Sequence, residues 1–285
     1  MLTIREYKQA ATLEEAWQLN QKRPNRVLGG MLWMRLSKGN VQTAIDLSAL
    51  GLDTIEETEM EFRIGAMVSL RQLELHEGFT AYSEGANKEA LRHIVGVQFR
   101  NLATVGGSVF GRFGFSDVLT LLLVMDSYVE LYKGGIVPLA DFVNMPYDRD
   151  ILVRIIVKKT AAHYSYKSVR ISKTDFPVLT CAAAKRADGA YRFSIGARPG
   201  RAVLFEASAE TIQALVEEKH KAETKADADT RENKDKAQIE KKAACLATWV
   251  RDQVQTSSNM RGSAEYRKHL TGVLIKRAVR VLEDR

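Results

Sequence analysis

The sequence predicts an α+β chain of two domains, and three features of its 285 residues carry that prediction. Short β-like runs alternate with helical patterns as far as about residue 158, the texture then changes to longer strands joined by an Asp188-Gly189 turn, and the chain ends on amphipathic helix. Domains of 100 to 200 residues are the rule, roughly, so a chain of this length supports two cores. The expected division is a first domain of two α+β subdomains over residues 1–158 and a second over 159–285.

Taken in order, Thr12 and Glu15 make a helix-start pattern, Leu13, Ala16, Trp17 and Asn20 follow at helical spacing, and Pro24 stops them. Arg26-Val-Leu28 reads as a short strand running into Gly29-Gly30. Residues 43–47 (TAIDL) and 61–65 (EFRIG) are β-like. Residues 85–97 (GANKEALRHIVGV) are expected to form one helix. Ser116 is placed to cap a buried helix over Val118 to Met125, and Tyr128 to Tyr132 before Gly134-Gly135 fits a strand and turn. Ile151 to Val157 closes the first domain. In the second, Tyr164–Arg170, Pro177–Lys185 and Tyr191–Ala197 read as strands, with Asp188-Gly189 the hairpin signal. Residues 206–219 look helical, Glu217 to Lys242 is a charged tract of low core potential expected to be a solvated helix or linker, and a last helix starts near Ser263. Its stripe of Tyr266, Leu270, Val273, Leu274, Arg277, Ala278 and Leu282 is expected to be core.

Composition narrows the function classes. Two cysteines, Cys181 and Cys245, are too few for a disulfide framework, a Cys-rich zinc site or a four-thiolate iron-sulfur cluster. The five histidines are scattered and no HExxH occurs, so no metal site is expected. The net charge of +7 admits a nucleic-acid partner, but the bases are dispersed among acids and no nucleic-acid motif accompanies them. The apolar run at 117–126 (DVLTLLLVMD) falls far short of the roughly 20 residues of a membrane span. The N-terminal MLTIREYKQ lacks the pattern of a secretion or transit signal, and a cytoplasmic location is expected.

Two glycine pairs stand out. Gly29-Gly30 follows a strand, and Thr104-Val-Gly106-Gly107-Ser108 is flanked by hydroxyls. Glycines let backbone amides approach a diphosphate, and two such loops point to a nucleotide more strongly than one. Neither is a Walker A sequence nor a G-x-G-x-x-G fingerprint, so any dinucleotide sits in another fold.

The order of Gly29-Gly30, Arg100-Asn101-Leu-Ala-Thr104-Val-Gly106-Gly107-Ser108 and Ser116-Asp117 before a Leu-rich helix resembles the FAD-binding (medium) subunit of molybdenum hydroxylases, the xanthine dehydrogenase and carbon monoxide dehydrogenase flavoproteins. Leu139-Ala-Asp141-Phe142, Tyr166-Lys167 with Arg170 and Asp175, and Arg261-Gly-Ser263-Ala-Glu265-Tyr266-Arg267 extend the resemblance over nearly the whole chain. It implies an FAD-binding domain of the vanillyl-alcohol-oxidase/PCMH type, followed by a three-stranded sheet packed on helices. It implies that Val27, Leu28, Gly29, Gly30, Met31 and Leu32 lie on the pyrophosphate, that Thr104, Gly106, Gly107 and Ser108 complete the phosphate and ribityl contacts, that Asp117, oriented by Ser116, accepts from ribose hydroxyls, and that Lys167 lies near the flavin edge. Three residues depart from the family pattern: Met31 replaces a Thr or Ser, Ser108 an Asn, and Gly114 a Pro.

The function so implied is electron relay, from [2Fe–2S] clusters on a small partner subunit through FAD to NAD+ or another acceptor, with the molybdenum cofactor on a large partner subunit and no catalytic acid or base on this chain. The alternatives are a flavin-poor subunit that bridges the same complex and, third, a basic nucleic-acid-binding protein.

Overall fold

The computed structural model describes residues 1–222 and 231–285, in two compact units that are not contiguous in sequence. The first comprises 1–82, 91–113 and 125–159, and the second 83–90, 114–124 and 160–285. The sequence-based division at 158/159 lies one residue before the crossing at 159/160, while two earlier segments belong to the C-terminal unit.

The first unit holds two sheets. Strands β1 (Leu2–Gln9), β2 (Arg26–Leu28) and β3 (Gly39–Asp46) form a parallel sheet in the order β1-β3-β2. Helix Leu13–Gln21 packs Leu13, Ala16 and Trp17 with Ile45 of β3. Its start is capped as the sequence indicates, the Thr12 hydroxyl accepting from the Glu15 amide at 3.1 Å. The Glu15 carboxylate reaches the Ala11 amide instead of closing the box on Thr12. Strand β1 has no counterpart in the sequence reading, because Thr3 to Gln9 are all exposed and no apolar alternation marks them.

The second sheet is antiparallel, β4 (Ile55–Glu57), β5 (Glu61–Gly65), β6 (Asp126–Leu131), β7 (Gly135–Pro138) and β8 (Leu152–Lys158) lying in the order β4-β5-β8-β6-β7. Phe62, Ile64, Val129, Ile155 and Val157 are fully buried on it. The single helix expected over 85–97 is two, Ala86–Leu91 and Val97–Leu102. Between them Val95 takes φ +50°, a left-handed conformation that no α-helix continues through.

In the second unit, β9 (Ala162–Arg170), β10 (Pro177–Arg186), β11 (Tyr191–Gly196) and β12 (Val203–Ala207) form an antiparallel sheet in the order β12-β11-β10-β9. The three expected strands are thus joined by a fourth, whose half-exposed edge position weakens its apolar pattern. Helices Arg231–Gln253 and Ala264–Glu283 cover one face through Leu246, Val250, Leu274 and Ala278. Helix Asp117–Val124, buried at every residue, lies on the same sheet, the Thr120 and Thr180 hydroxyls meeting at 3.1 Å. Layers on both faces explain why the first eight residues of β10 are buried without alternation. Of the charged tract, residues 223–230 lie outside the described residues, and Arg231 onward is helix.

The last helix begins at Ala264 with Ser263 as its cap. Its buried face is rotated from the expected stripe: Arg267, Thr271, Ile275 and Val279 join Leu270, Leu274, Ala278 and Leu282, while Tyr266 and Arg277 are exposed. Arg267 is the reason. Completely buried, it donates to the carbonyls of Val178 (2.9 Å) and Ser257 (2.8 Å) and to Asn259 Oδ1 (2.6 Å), fastening the start of β10 to the loop before the helix.

Candidate functional site

Because β1, β2 and β3 are parallel, β2 delivers its next residues at the carboxyl ends of the strands, where ligands of open parallel sheets bind. Those residues are Gly29 and Gly30. A Cβ on Gly30 would lie 1.8 Å from the Leu102 carbonyl oxygen, and one on Gly29 would lie 2.8 Å from Thr104 Oγ1. The two glycine loops, about 75 residues apart in sequence, are therefore pressed together in one unit at distances only glycine allows.

Behind them, Gly106 leaves 2.5 Å between a would-be Cβ and the Ala66 carbonyl oxygen, so the second loop is wedged against the segment after β5. The second loop's own donors are used inside the protein. Val105 N–H bonds Val68 O, Gly106 N–H bonds Ala66 O, and the Gly107 amide donates to Thr104 Oγ1 at 3.1 Å. Ser108 donates its hydroxyl to Thr104 O at 3.0 Å.

The first loop is different. The amides of Gly30, Met31 and Leu32 have no partner among the described residues. Met31 takes φ +59°, so the amides around it belong to a left-handed turn of the kind that gathers successive N–H groups into an anion-binding concavity. A non-glycine residue held there marks a backbone the surroundings over-determine. The Met31 side chain packs against Leu28, Val41 and Ala44, and its carbonyl accepts from the Arg35 amide at 3.0 Å.

The other anticipated residues fall in the second unit. Ser116 caps helix Asp117–Val124 through its bond from the Leu119 amide at 3.1 Å. Asp117 is buried, and its Oδ1 accepts from the Tyr166 hydroxyl and from Arg170, both at 2.5 Å. Burial pushes the Asp117 carboxyl up and the Tyr166 phenol well up, while Arg170 pulls both down. Lys167 is not part of this group. It pairs with Cys181, a member of the cluster under the C-terminal helices, so it lies on the sheet face opposite Tyr166. Tyr166 and Arg170, four residues apart and on the alternation opposite to Lys167, were not anticipated at Asp117; the contacts span 49 and 53 residues of sequence and leave no local signal.

Gly114, the third departure, has its own explanation. A Cβ there would lie 2.2 Å from the Pro199 carbonyl oxygen, and its carbonyl accepts from the Ala197 amide at 2.6 Å, so the site admits only glycine. Among the described residues no group of three or more His, Cys, Asp or Glu side chains is arranged to hold a metal, and no helix is long and apolar enough to cross a membrane.

A glycine cradle at the carboxyl ends of parallel strands, with amides that have no partner among the described residues in a left-handed turn, has the geometry to hold a phosphate group outside the G-x-G-x-x-G folds. The chain belongs to the family described as the FAD binding domain in molybdopterin dehydrogenase, whose model matches residues 3–159. Among individual proteins, the uncharacterized protein YgfM of Escherichia coli K12 is 24% identical over 276 residues, spanning 95% of this chain and 94% of its own. The fold is shared with solved structures. A chain of quinoline 2-oxidoreductase from Pseudomonas putida 86 superposes with a TM-score of 0.76 at 20% identity, covering 98% of this chain and 96% of that one. A chain of the reconstituted CO dehydrogenase from Oligotropha carboxidovorans gives 0.77 at 21%, covering 98% of each.

Proposed function

We propose that this chain is the FAD-carrying subunit of a multi-subunit molybdenum hydroxylase, relaying electrons from [2Fe–2S] clusters on a small partner subunit to NAD+ or another acceptor, with the molybdenum cofactor on a large partner. The observation that carries the reading is the run of unpaired amides at Gly30, Met31 and Leu32, backed by glycines with no room for a side chain, inside the domain the family defines. The likeness to quinoline 2-oxidoreductase and CO dehydrogenase over nearly the full chain supports the setting.

In this reading Val27 and Leu28 bring the first loop to the strand ends, and the amides of Gly30 to Leu32 bind the pyrophosphate. Thr104, Gly106, Gly107 and Ser108 build the wall that fixes that loop, the amides of Gly106, Gly107 and Ser108 being occupied. Met31 costs the site no donor, because its backbone amide, not the side chain, faces the phosphate. Asp117 keeps the role of ribose acceptor, held in one orientation by Tyr166 and Arg170. FAD, when bound, supplies the exchange between electron pairs and single electrons. The chain's own part is positional: it binds, orients and shields, and no side chain transfers a proton.

The bridging alternative has one observation in its favour, the engagement of Asp117 Oδ1 by two internal donors. An absorption spectrum of the purified chain with and without added FAD separates the two readings. Flavin bands near one FAD per chain, lost in Gly30→Ala, are expected, because a Cβ 1.8 Å from the Leu102 carbonyl oxygen forces the two loops apart. A colourless protein that takes up no FAD at high micromolar concentration would leave the bridging reading.

A further inference from the structure

Two large aromatic rings stand at the edge of the glycine cradle, and nothing in the backbone's binding of phosphate calls for them. Trp33 directly follows the unpaired amides of the first loop, and Phe113 lies six residues past Gly107 of the second. Each is 40% exposed, and their ring centroids are 6.5 Å apart with planes inclined at 48°.

Both rings are presented by backbone in an unfavourable conformation. Met31, two residues before Trp33, has φ +59°, and Arg112, immediately before Phe113, has φ +44°. The Arg112 turn is held in place from within. Its guanidinium is buried with Cζ 4.0 Å from the Phe142 ring centroid and 4.7 Å from that of Tyr147, and Nη1 donates to the Met145 carbonyl at 2.5 Å. The Tyr147 hydroxyl in turn donates to the Gly111 carbonyl at 2.8 Å. Gly111 makes room for the ring: a Cβ there would lie 2.4 Å from Phe113 Cε2 and 2.9 Å from the Gly107 carbonyl oxygen. The ring is therefore folded back over the end of the second glycine loop instead of extending from it. Strain of this kind, sustained by buried contacts and ending in an exposed ring, is characteristic of ligand clamps.

Resting on the flavin reading of the same site, we propose that Trp33 and Phe113 form the stacking platform for a planar heteroaromatic ring of the bound dinucleotide, the amides of Gly30 to Leu32 holding its phosphates. An electron-rich indole suits an electron-poor fused ring, and stacking asks only for a π-face, not for hydrogen-bond readout.

The test is a titration of the full chain with FAD, read by equilibrium dialysis and by tryptophan emission, for the natural protein, Trp33→Ala, Trp33→Phe and Phe113→Ala. Comparison with Trp33→Phe isolates the signal of Trp33 from those of Trp17 and Trp249. Trp33→Ala is expected to weaken FAD binding roughly 10- to 100-fold, Trp33→Phe to restore most of it, and saturation with FAD to quench the Trp33 emission. FMN and ADP serve as separate probes: quenching by FMN assigns the platform to the isoalloxazine, and quenching by ADP to the adenine. FAD affinities within twofold of the natural protein in both alanine variants, with Trp33 emission unmoved, would overturn the platform and leave the flavin reading standing. Absence of FAD uptake by the natural protein would overturn both. The emission difference between the natural protein and Trp33→Phe decides the matter without reference to the folding of either alanine variant.

Discussion

Asp117 shows how a residue's chemistry depends on partners the sequence keeps far away. As one half of a Ser-Asp pair it reads as a ribose acceptor that an alanine would remove cleanly. In the fold it is one end of a buried pair with Arg170, and removing one partner of such a pair leaves an uncompensated charge, a loss of about 3–5 kcal/mol. Asp117→Ala is therefore expected to lower the chain's stability by about that amount, besides any effect on cofactor. Replacing both partners, Asp117→Asn with Arg170→Met, should recover most of the loss. Urea unfolding of the single and double variants checks the coupling, and additive losses would show the pair to be independent. The comparison also prevents a drop in flavin content from being read as lost ribose contact when the cause is a loosened second unit.

Among the elements, those with a strong apolar period were legible: the helices over 13–21, 117–124 and 264–283, and the hairpin joined by Asp188-Gly189. Strand β1 was not, since its pairing with β3 is made by backbone groups while its side chains face water. The glycine loops were legible as loops, but which of them offers free amides depends on Ala66 and Val68, whose carbonyls take the second loop's donors and carry no mark in sequence. The last helix was legible in place and not in rotation, because a buried arginine counts as polar in any periodicity. The end of that helix also carries a pH dependence. Glu283 bonds Tyr191, Lys242 at 2.9 Å and Lys185 at 3.0 Å; burial alone would raise its carboxyl, but these donors outweigh it and hold it at about 2 against an ordinary 4.5. A carboxyl depressed on folding stabilises fully above its unfolded value and loses that contribution as pH falls through the folded one. Glu283→Gln should thus cost about 1.5–3 kcal/mol at pH 7, as for hydrogen bonds to a charged group. The gap to the natural protein should narrow between about pH 4.5 and pH 2. Unfolding curves collected across that range test it, and a gap constant with pH would place the stabilisation elsewhere.

For the molecule as a whole, the interleaving of the two units bears on how the chain is divided. The family domain ends at residue 159, which invites a cut there, yet the second unit takes residues 83–90 and 114–124 from the earlier sequence. Helix Asp117–Val124 is the larger of these loans. It supplies eight buried residues to the unit, covers Thr180 and Gly196 of the sheet, and provides the partner of Arg170 and Tyr166. A fragment of residues 160–285 would therefore expose one face of a sheet whose central strand is buried on both, together with a cation built to be paired. Uncovering a helix with six buried Val and Leu residues, at about 1.5–3 kcal/mol each, costs as much as the roughly 5–15 kcal/mol by which a whole domain is stable. The fragment is expected to be insoluble, or compact without fixed packing, and a chain beginning at residue 114 to regain native near-ultraviolet circular dichroism and a cooperative unfolding transition. If 160–285 alone unfolds cooperatively as a soluble monomer, the helix is an accessory and not part of that core. The consequence for function follows from the same connectivity. The helix donated to the second unit starts nine residues after Ser108, at the end of the second glycine loop, so the segment that walls the cofactor site and the segment that completes the other core are one stretch of chain. Variants that loosen the second unit should then lower FAD affinity without touching a single residue of the glycine loops.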